Sequence, residues 1–393
     1  MKRVYLDHNA TTPLDARVGE AMKPYFTDAY GNPSSPHHYG RIAKQALEEA
    51  RATVAEAIGA KPEEIIFTSG GTESDNLALR GIAYHKERGH IITASIEHHA
   101  VLKTCKDLEN DGFSVTYLSV DREGRVDPDE VRRSIRKNTI LVSIMYANNE
   151  TGVIEPIAEI GRIAREWGIP FHSDAVQALG KIEVNVEKLG VDLLSLSAHK
   201  IYGPKGIGAL FVKDGVRLSP LTTGGSHELG MRAGTENIPA IVGFAKALKI
   251  ADGEIATYHT KVLRLRDKLE SDLLNNLSQV TIHSAKAERL PHTSCIGFAS
   301  VEAESILLHL DLKGIAASSG SACTTGEPEP SHVLLAMNVP IELAQGSIRI
   351  SLGKENNEEE IDYTVDVLQN VISQLRTISS QWAVEGNKRY NLT

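Results

Sequence analysis

Between about residues 40 and 250 the chain alternates short apolar runs with helix-like stretches. Strand-like runs fall at 65–68, 90–94, 115–119, 140–146, 170–172, 193–196 and 208–212, and helical segments such as 41–58 and 157–167 separate several of them. The runs lack polar alternation, as expected of strands covered on both faces. The alternation therefore predicts an α/β fold with a mostly parallel sheet between helices. In such folds ligands bind beyond the C-terminal ends of the strands, so polar clusters that follow apolar runs mark the candidate site.

After about residue 250 the pattern changes. A helical stretch at 254–277 carries Val262, Leu265, Leu269 and Leu273 at helical spacing, and it could link two domains. Strands near 295–299 and 348–351 follow, with helices at 303–311 and 358–375. In the last of these Ile361, Val365, Leu368, Ile372 and Leu375 form one apolar stripe. The expected organisation is a large α/β domain over 15–255 and a smaller α+β domain built from 1–14 and 256–393. With 393 residues, 41% of them hydrophobic, the chain is long enough for both cores. No apolar run reaches the roughly 18 residues of a membrane span. The first residues lack a signal-peptide apolar region, so the cytoplasm is the default location. A net charge of -9 argues against direct nucleic-acid binding.

Four polar clusters end apolar runs. In the first, Ser197-Ala-His-Lys-Ile-Tyr-Gly-Pro-Lys-Gly206 holds Lys200 at a turn, with an amine that can be aimed at a carbonyl. Pyridoxal phosphate (PLP) requires such a lysine for its Schiff base. Ser197 and His199 beside it suit a phosphate. In the second, Thr68-Ser-Gly-Gly-Thr-Glu-Ser-Asp-Asn76 turns at two glycines into a helix near Thr72, and free N–H groups there favour an anion. An ordinary capped helix explains that stretch equally well in isolation, and it is neither a P-loop nor a dinucleotide fingerprint. The third cluster, Glu97-His98-His99, places an imidazole that could stack on a flat ring and handle protons, or simply face solvent. Companion spacing for zinc is lacking. In the fourth, Phe171-His-Ser-Asp-Ala-Val-Gln177, Asp174 suits a pyridine nitrogen and Gln177 a ring substituent, although Asp174 also suits a helix N-cap. The ordered conjunction of the four favours PLP. A Gly-rich loop over 224–237, leading to a helix expected near Thr235, is a second phosphate contact candidate.

The three cysteines form no CxxC pair, which argues against a disulfide framework or a zinc ribbon. Cys105 and Cys295 sit in apolar patterns and read as core. Cys323 lies in the small, polar segment Ala317-Ser-Ser-Gly-Ser-Ala-Cys-Thr-Thr-Gly326, where a thiol is either a liability or a reagent.

Together with Tyr5-Leu-Asp-His-Asn-Ala-Thr-Thr-Pro13, Ala147-Asn-Asn-Glu-Thr-Gly152 and Ser318-Ser-Gly-Ser-Ala-Cys323, these motifs give the chain a resemblance. From Tyr5 to Asp362 it resembles the cysteine desulfurases of the NifS/IscS kind, in the class V aminotransferase branch of PLP fold type I. The cysteine loop resembles the longer loop of that group rather than the SufS-like one. The resemblance implies that Lys200 carries PLP, Asp174 pairs with the ring nitrogen, Gln177 with the ring hydroxyl, and His98 stacks on the ring and moves protons. It implies that Gly71, Thr72, Ser197 and His199 hold the phosphate, and that Thr235 reaches the cofactor of a partner subunit in a homodimer. Asn148 and Arg349 would hold the substrate carboxylate, Asn148 also contacting the cofactor, while Asn9 and Ala10 line the pocket. Cys323 would accept sulfur from L-cysteine as a persulfide and pass it to an iron–sulfur scaffold protein of the U type; no resident metal is implied, though Cys323 could meet a cluster in that complex. His8 stands where many relatives carry Asn or Tyr. A selenocysteine lyase would share this site; a class V aminotransferase would not need Cys323. A partner-binding protein without turnover would not need the complete set of Lys200, Asp174, His98 and Cys323.

Overall fold

A computed structural model describes residues 2–320 and 330–378. Its centre is a seven-stranded sheet. After β1 (Val4–Tyr5), which lies elsewhere, this sheet is built from β2 (Ile65–Thr68), β3 (His90–Ala94), β4 (Ser114–Leu118), β5 (Thr139–Ser143), β6 (Phe171–Asp174), β7 (Leu193–Ser197) and β8 (Gly208–Val212). The order is β2-β8-β7-β6-β5-β3-β4, and only β8 runs against its neighbours. β2, β3, β6, β7 and β8 are buried along their whole length, which is why their sequences read as continuous apolar runs. Two buried clusters cover the two faces. One contains Val54, Phe67, Ile144, Phe171 and Phe244, the other Ile66, Leu79, Ile91, Val101 and Leu210.

Strand positions agree with the apolar runs to within a few residues. The run at 140–146 contributes only Thr139–Ser143 to the sheet; Ile144, Met145 and Ala147 stay buried beyond the strand end. The run at 170–172 forms Phe171–Asp174, so Asp174 closes its own strand. Proline has no N–H for the ladder, and the strand starts after Pro170.

A second, four-stranded antiparallel sheet comprises β9 (Val280–Ile282), β10 (Thr293–Phe298), β12 (Ser318–Ser319) and β13 (Ser347–Ser351), in the order β12-β13-β10-β9. β11 (Ile315–Ala316) pairs in parallel with β1, which ties the first residues of the chain to this part. Here a separate core gathers Leu6, Leu269, Phe298, Ile306, Ile350, Leu368 and Ile372.

The helix expected at 254–277 is the second half of a longer one, Ile238–Asn276. Its first half buries Ile241, Phe244 and Leu248 in the large core, and its second half buries Val262, Leu265, Leu269 and Leu273 in the smaller core. Ala251-Asp-Gly253 looks like a break in sequence, yet packing on both sides carries the helix through Gly253. The helix expected near Thr235 likewise starts later, where Asn237 caps it by accepting from the Ala240 N–H at 3.3 Å. Among the described residues no helix is long and apolar enough to cross a membrane.

Candidate active site

β2, β3, β5, β6 and β7 end at one edge of the central sheet, and the predicted residues follow directly from these ends. Gly70 and Gly71 follow β2, His98 follows β3, Asn148 follows β5, Asp174 ends β6, and Ser197 ends β7 just before His199 and Lys200.

The helix Gly71–Lys86 begins without a side-chain cap, because its N-cap is Gly70 at φ 149°. The first N–H groups of a helix have no intrahelical acceptor, and here they face a cavity of about 320 Å³. Gly70, Gly71, Thr72, Ser197, His199 and Lys205 are among its lining residues. The Ser197 hydroxyl is buried and has no hydrogen-bond partner among the described residues. His199 Nδ1 lies 3.1 Å from Thr11 Oγ1, and burial together with Lys200, Lys205 and Lys181 lowers its pKa to about 4. Glu73 also lines the cavity, but its carboxylate is engaged by Arg232 Nε at 2.9 Å and the Ser69 N–H at 2.6 Å, so the groups left for a ligand are neutral donors and a lysine, a surface suited to an anion.

Beside it, the Asp174 carboxylate is buried and accepts from the Val176 N–H at 2.9 Å. Burial raises its pKa and the Lys200 charge opposes the rise. A cation placed against this carboxylate would hold it ionised. His98 Nδ1 accepts from the Ala100 N–H at 3.1 Å, which leaves the neutral ring its proton on Nε2. Burial, then the charge of Lys200, depresses His98 to about 4, so the imidazole is neutral at physiological pH. Lys200 Nζ donates to the carbonyl oxygens of Asn9 at 2.5 Å and Ala10 at 2.7 Å. Gln177 Nε2 donates to the same Asn9 oxygen at 3.0 Å.

Toward the smaller core, Arg349 donates from Nη1 to the Asn149 carbonyl at 3.0 Å and from Nη2 to Asp7 Oδ1 at 2.8 Å. Its Nε is buried and has no partner among the described residues, so a donor remains for a carboxylate. Asn9 meets the site through its backbone oxygen. Its side chain is committed to Asn149 O, Thr293 and His292. Asn148 differs from the expectation of a direct carboxylate ligand. It is fully buried, its Nδ2 donates to Ile96 O, and its Oδ1 accepts from Glu150 N, Thr151 N and Thr151 Oγ1. No polar atom of Asn148 is left over, and its visible task is to shape the turn that presents Asn149.

Two predicted residues are not gathered with the others. Thr235 is exposed in the loop before Ile238–Asn276 and does not line the cavity. Cys323 lies outside the described residues. A larger cavity, about 500 Å³, lies around Lys44, Arg51, His227 and Glu228 and holds none of the predicted residues. Sequence reasoning also missed Asp7, which pairs with Arg349, and Lys181, a buried lysine bonded to Gln177. Asp75, raised well above the usual carboxylate range by burial and by Asp174, was missed as well. Asp7 and Asp75 lie in polar strings, Asp7-His-Asn9 and Thr72-Glu-Ser-Asp-Asn76, and Lys181 follows a glycine, so no local signal set them apart.

Residues 4–364 match the Aminotransferase class-V family. Cysteine desulfurase IscS of Dictyoglomus turgidum is 54% identical over 390 residues, covering 98% of this chain and 99% of that protein. The chain belongs to the cysteine desulfurases of the NifS/IscS family. Cysteine desulfurase IscS of Methanosarcina thermophila is 51% identical over 96% of this chain and 94% of its own length. A solved NifS-like protein superposes with a TM-score of 0.90 at 42% identity, covering 95% of this chain and all of that one. SspA in complex with cysteine superposes with a TM-score of 0.79 at 39% identity, over 89% and 98% of the two chains.

Cysteine desulfurases are PLP-dependent, and this chain is a PLP-dependent enzyme of fold type I. The residues present fit that cofactor. The partnerless Ser197 hydroxyl and the uncapped helix start form an anion cradle, and Gly71 lets the helix start pack against Val176, whose Cγ2 a Cβ would meet at 2.7 Å. The buried Asp174 carboxylate suits a pyridinium, and Lys200 stands in the same site.

Proposed function

We propose that this cysteine desulfurase carries sulfur from L-cysteine on Cys323 as a persulfide and hands it to an iron–sulfur scaffold protein of the U type. The observation that carries the reading is the convergence of Lys200, Asp174, His98 and the Gly70–Thr72 helix start at one sheet edge. Bound PLP supplies an electrophilic carbon for amines and an electron sink for the carbanion formed at the substrate.

The chain's own residues hold, orient and move protons. Gly71 and Thr72 N–H groups, Ser197 Oγ and His199 bind the phosphate. Asp174 would stay anionic against the ring nitrogen, and Gln177 Nε2 would offer its second N–H to the ring hydroxyl. Arg349 orients the substrate carboxylate through Nε and its remaining N–H groups, with Asp7 fixing the guanidinium. Asn148 acts through the turn it shapes, and the Asn9 and Ala10 carbonyls line the pocket. Lys200 Nζ accepts the substrate α-proton, and neutral His98 shuttles protons through Nε2. Cys323 attacks the substrate sulfur as a thiolate. An S–S bond forms, the substrate C–S bond breaks, and the carbon takes up a proton. L-Cysteine and one thiol thus become L-alanine and one persulfide.

In this reading the enzyme is a cytoplasmic homodimer. Thr235, exposed and not among the residues lining its own cavity, reaches the phosphate in the partner subunit's site. The smaller α+β unit, 1–14 with 256–393, carries Cys323 to the large unit, 15–255. The test is alanine and sulfide release from L-cysteine, with and without a U-type scaffold, by wild type and Cys323→Ala. Wild type should release alanine and load the scaffold; Cys323→Ala should keep PLP and transfer no sulfur. Full sulfur delivery by Cys323→Ala would remove the nucleophile from the account.

A further inference from the structure

Lys181 is 3% exposed, in the turn that follows β6, and among the described residues no carboxylate lies within ion-pair distance of it. Buried lysines without a carboxylate are rare, because taking an unpaired ammonium out of water is costly. Lys200, Arg349, His8, His199 and His292 act on it or are acted on by its charge. Tyr202, Tyr258, Glu254 and Lys354 line a small cavity with it, Glu254 being the one carboxylate among the described residues there and outside ion-pair distance. Burial first, then Lys200 and Arg349, press Lys181 well below the usual lysine range. Its hydrogen bond goes to Gln177, whose Oε1 accepts from Lys181 Nζ at 3.1 Å.

That bond has a consequence for the other end of the amide. Gln177 Nε2 donates to Asn9 O at 3.0 Å, and Lys200 Nζ donates to the same oxygen. Turning the amide over would set Nε2 against the Lys181 amine and Oε1 against the Asn9 carbonyl. The two acceptors would then face each other, and so would two donors wherever Lys181 is an ammonium. A neutral amine could also accept through its lone pair, but it still donates to Oε1 as observed, and the turned amide would still set Oε1 against the Asn9 carbonyl, so the observed orientation is favoured in either protonation state of Lys181. A methionine of similar length would fill the space without fixing the direction.

We propose that Lys181 is a positioning residue that locks the Gln177 amide with its N–H toward the cofactor's ring hydroxyl and its carbonyl away from it. The proposal rests on the reading of Gln177 as the ring-hydroxyl partner. An N–H given to the ring oxygen draws electron density from it and disfavours the proton on the neighbouring lysine–cofactor nitrogen. Losing the donor, or presenting the amide oxygen instead, therefore raises the pKa at which that nitrogen titrates.

The test is the pH dependence of the bound cofactor's visible absorption in the holoenzyme, without substrate. Gln177→Met should raise the spectroscopic pKa, and Lys181→Met should raise it in the same direction by about half to one unit. The double variant should shift no further than Gln177→Met alone, since Lys181 acts through Gln177. Lys181→Gln retains an N–H for Gln177 Oε1 and should titrate like wild type; this arm reads out even if Lys181→Met fails to fold. A shift in Gln177→Met with none in Lys181→Met overturns the proposal. So does full additivity in the double variant, or a Lys181→Gln shift as large as that of Gln177→Met. An unshifted Gln177→Met instead overturns the reading of Gln177, and the proposal with it.

Discussion

Replacing Gly208 by alanine should weaken cofactor binding, although Gly208 does not line the phosphate cavity. Gly208 opens β8, where it pairs with Thr68 of β2 on one side and Ser197 of β7 on the other. A Cβ at this position would lie 2.5 Å from Leu196 O, 2.7 Å from Gly70 Cα and 2.8 Å from Gly70 C. All three atoms are backbone and cannot rotate aside. Ordinary contact begins at 3.4 Å, so Gly70 must retreat by about 0.7 Å. Gly70 is the N-cap of the helix whose first N–H groups form the cradle. Overpacking of this kind costs about 1–3 kcal/mol, and if most of that falls on the cradle the cofactor Kd rises about ten- to a hundredfold. The assay is an absorbance titration of the stripped protein with PLP, accompanied by thermal unfolding. Gly253→Ala is the control, because a Cβ there meets nothing within 4 Å and the residue lies inside a helix. It should leave Kd unchanged and stabilise the fold by about 0.5–1 kcal/mol. A wild-type Kd for Gly208→Ala would refute the claim that strand packing sets the cradle.

Three further outcomes are expected. Arg51→Met should cost about 3–5 kcal/mol in denaturant unfolding, because it strands the buried Glu228 carboxylate; a loss under ~1 kcal/mol contradicts the pair's importance. Burial pushes the Cys105 and Cys295 thiols up to about 12, so both should stay protonated and unlabelled by a thiol reagent at pH 8 until the protein unfolds. Labelling of either at the rate of a free thiol contradicts that packing. Borohydride reduction of the holoenzyme should fix the cofactor to Lys200, and Lys200→Ala should lose this link; a reduced link at another lysine overturns the assignment.

The α/β pattern was legible because strands covered on both faces cannot hide in polar alternation: Ile65–Thr68 and His90–Ala94 read directly as apolar runs. The site was legible because its residues follow those strand ends in short segments. What was not legible depends on contacts between distant segments. The continuity of Ile238–Asn276 through Gly253 comes from packing on two cores. The commitment of Asn148 to its own turn follows from backbone geometry that the Asn-Asn-Glu-Thr string does not display. Asp7 and Lys181 sit in ordinary-looking positions and acquire meaning only when the chain brings Arg349 and Gln177 beside them.

The central claim is that sulfur from cysteine comes to rest on Cys323 after activation at the Lys200 site. A single turnover with sulfur-labelled L-cysteine, followed by alkylation and peptide mapping without reductant, tests it directly. The account predicts alanine in step with labelled persulfide on the Cys323 peptide. Alanine formed at the normal rate with the label absent from Cys323, or carried on Cys105 or Cys295, would contradict it.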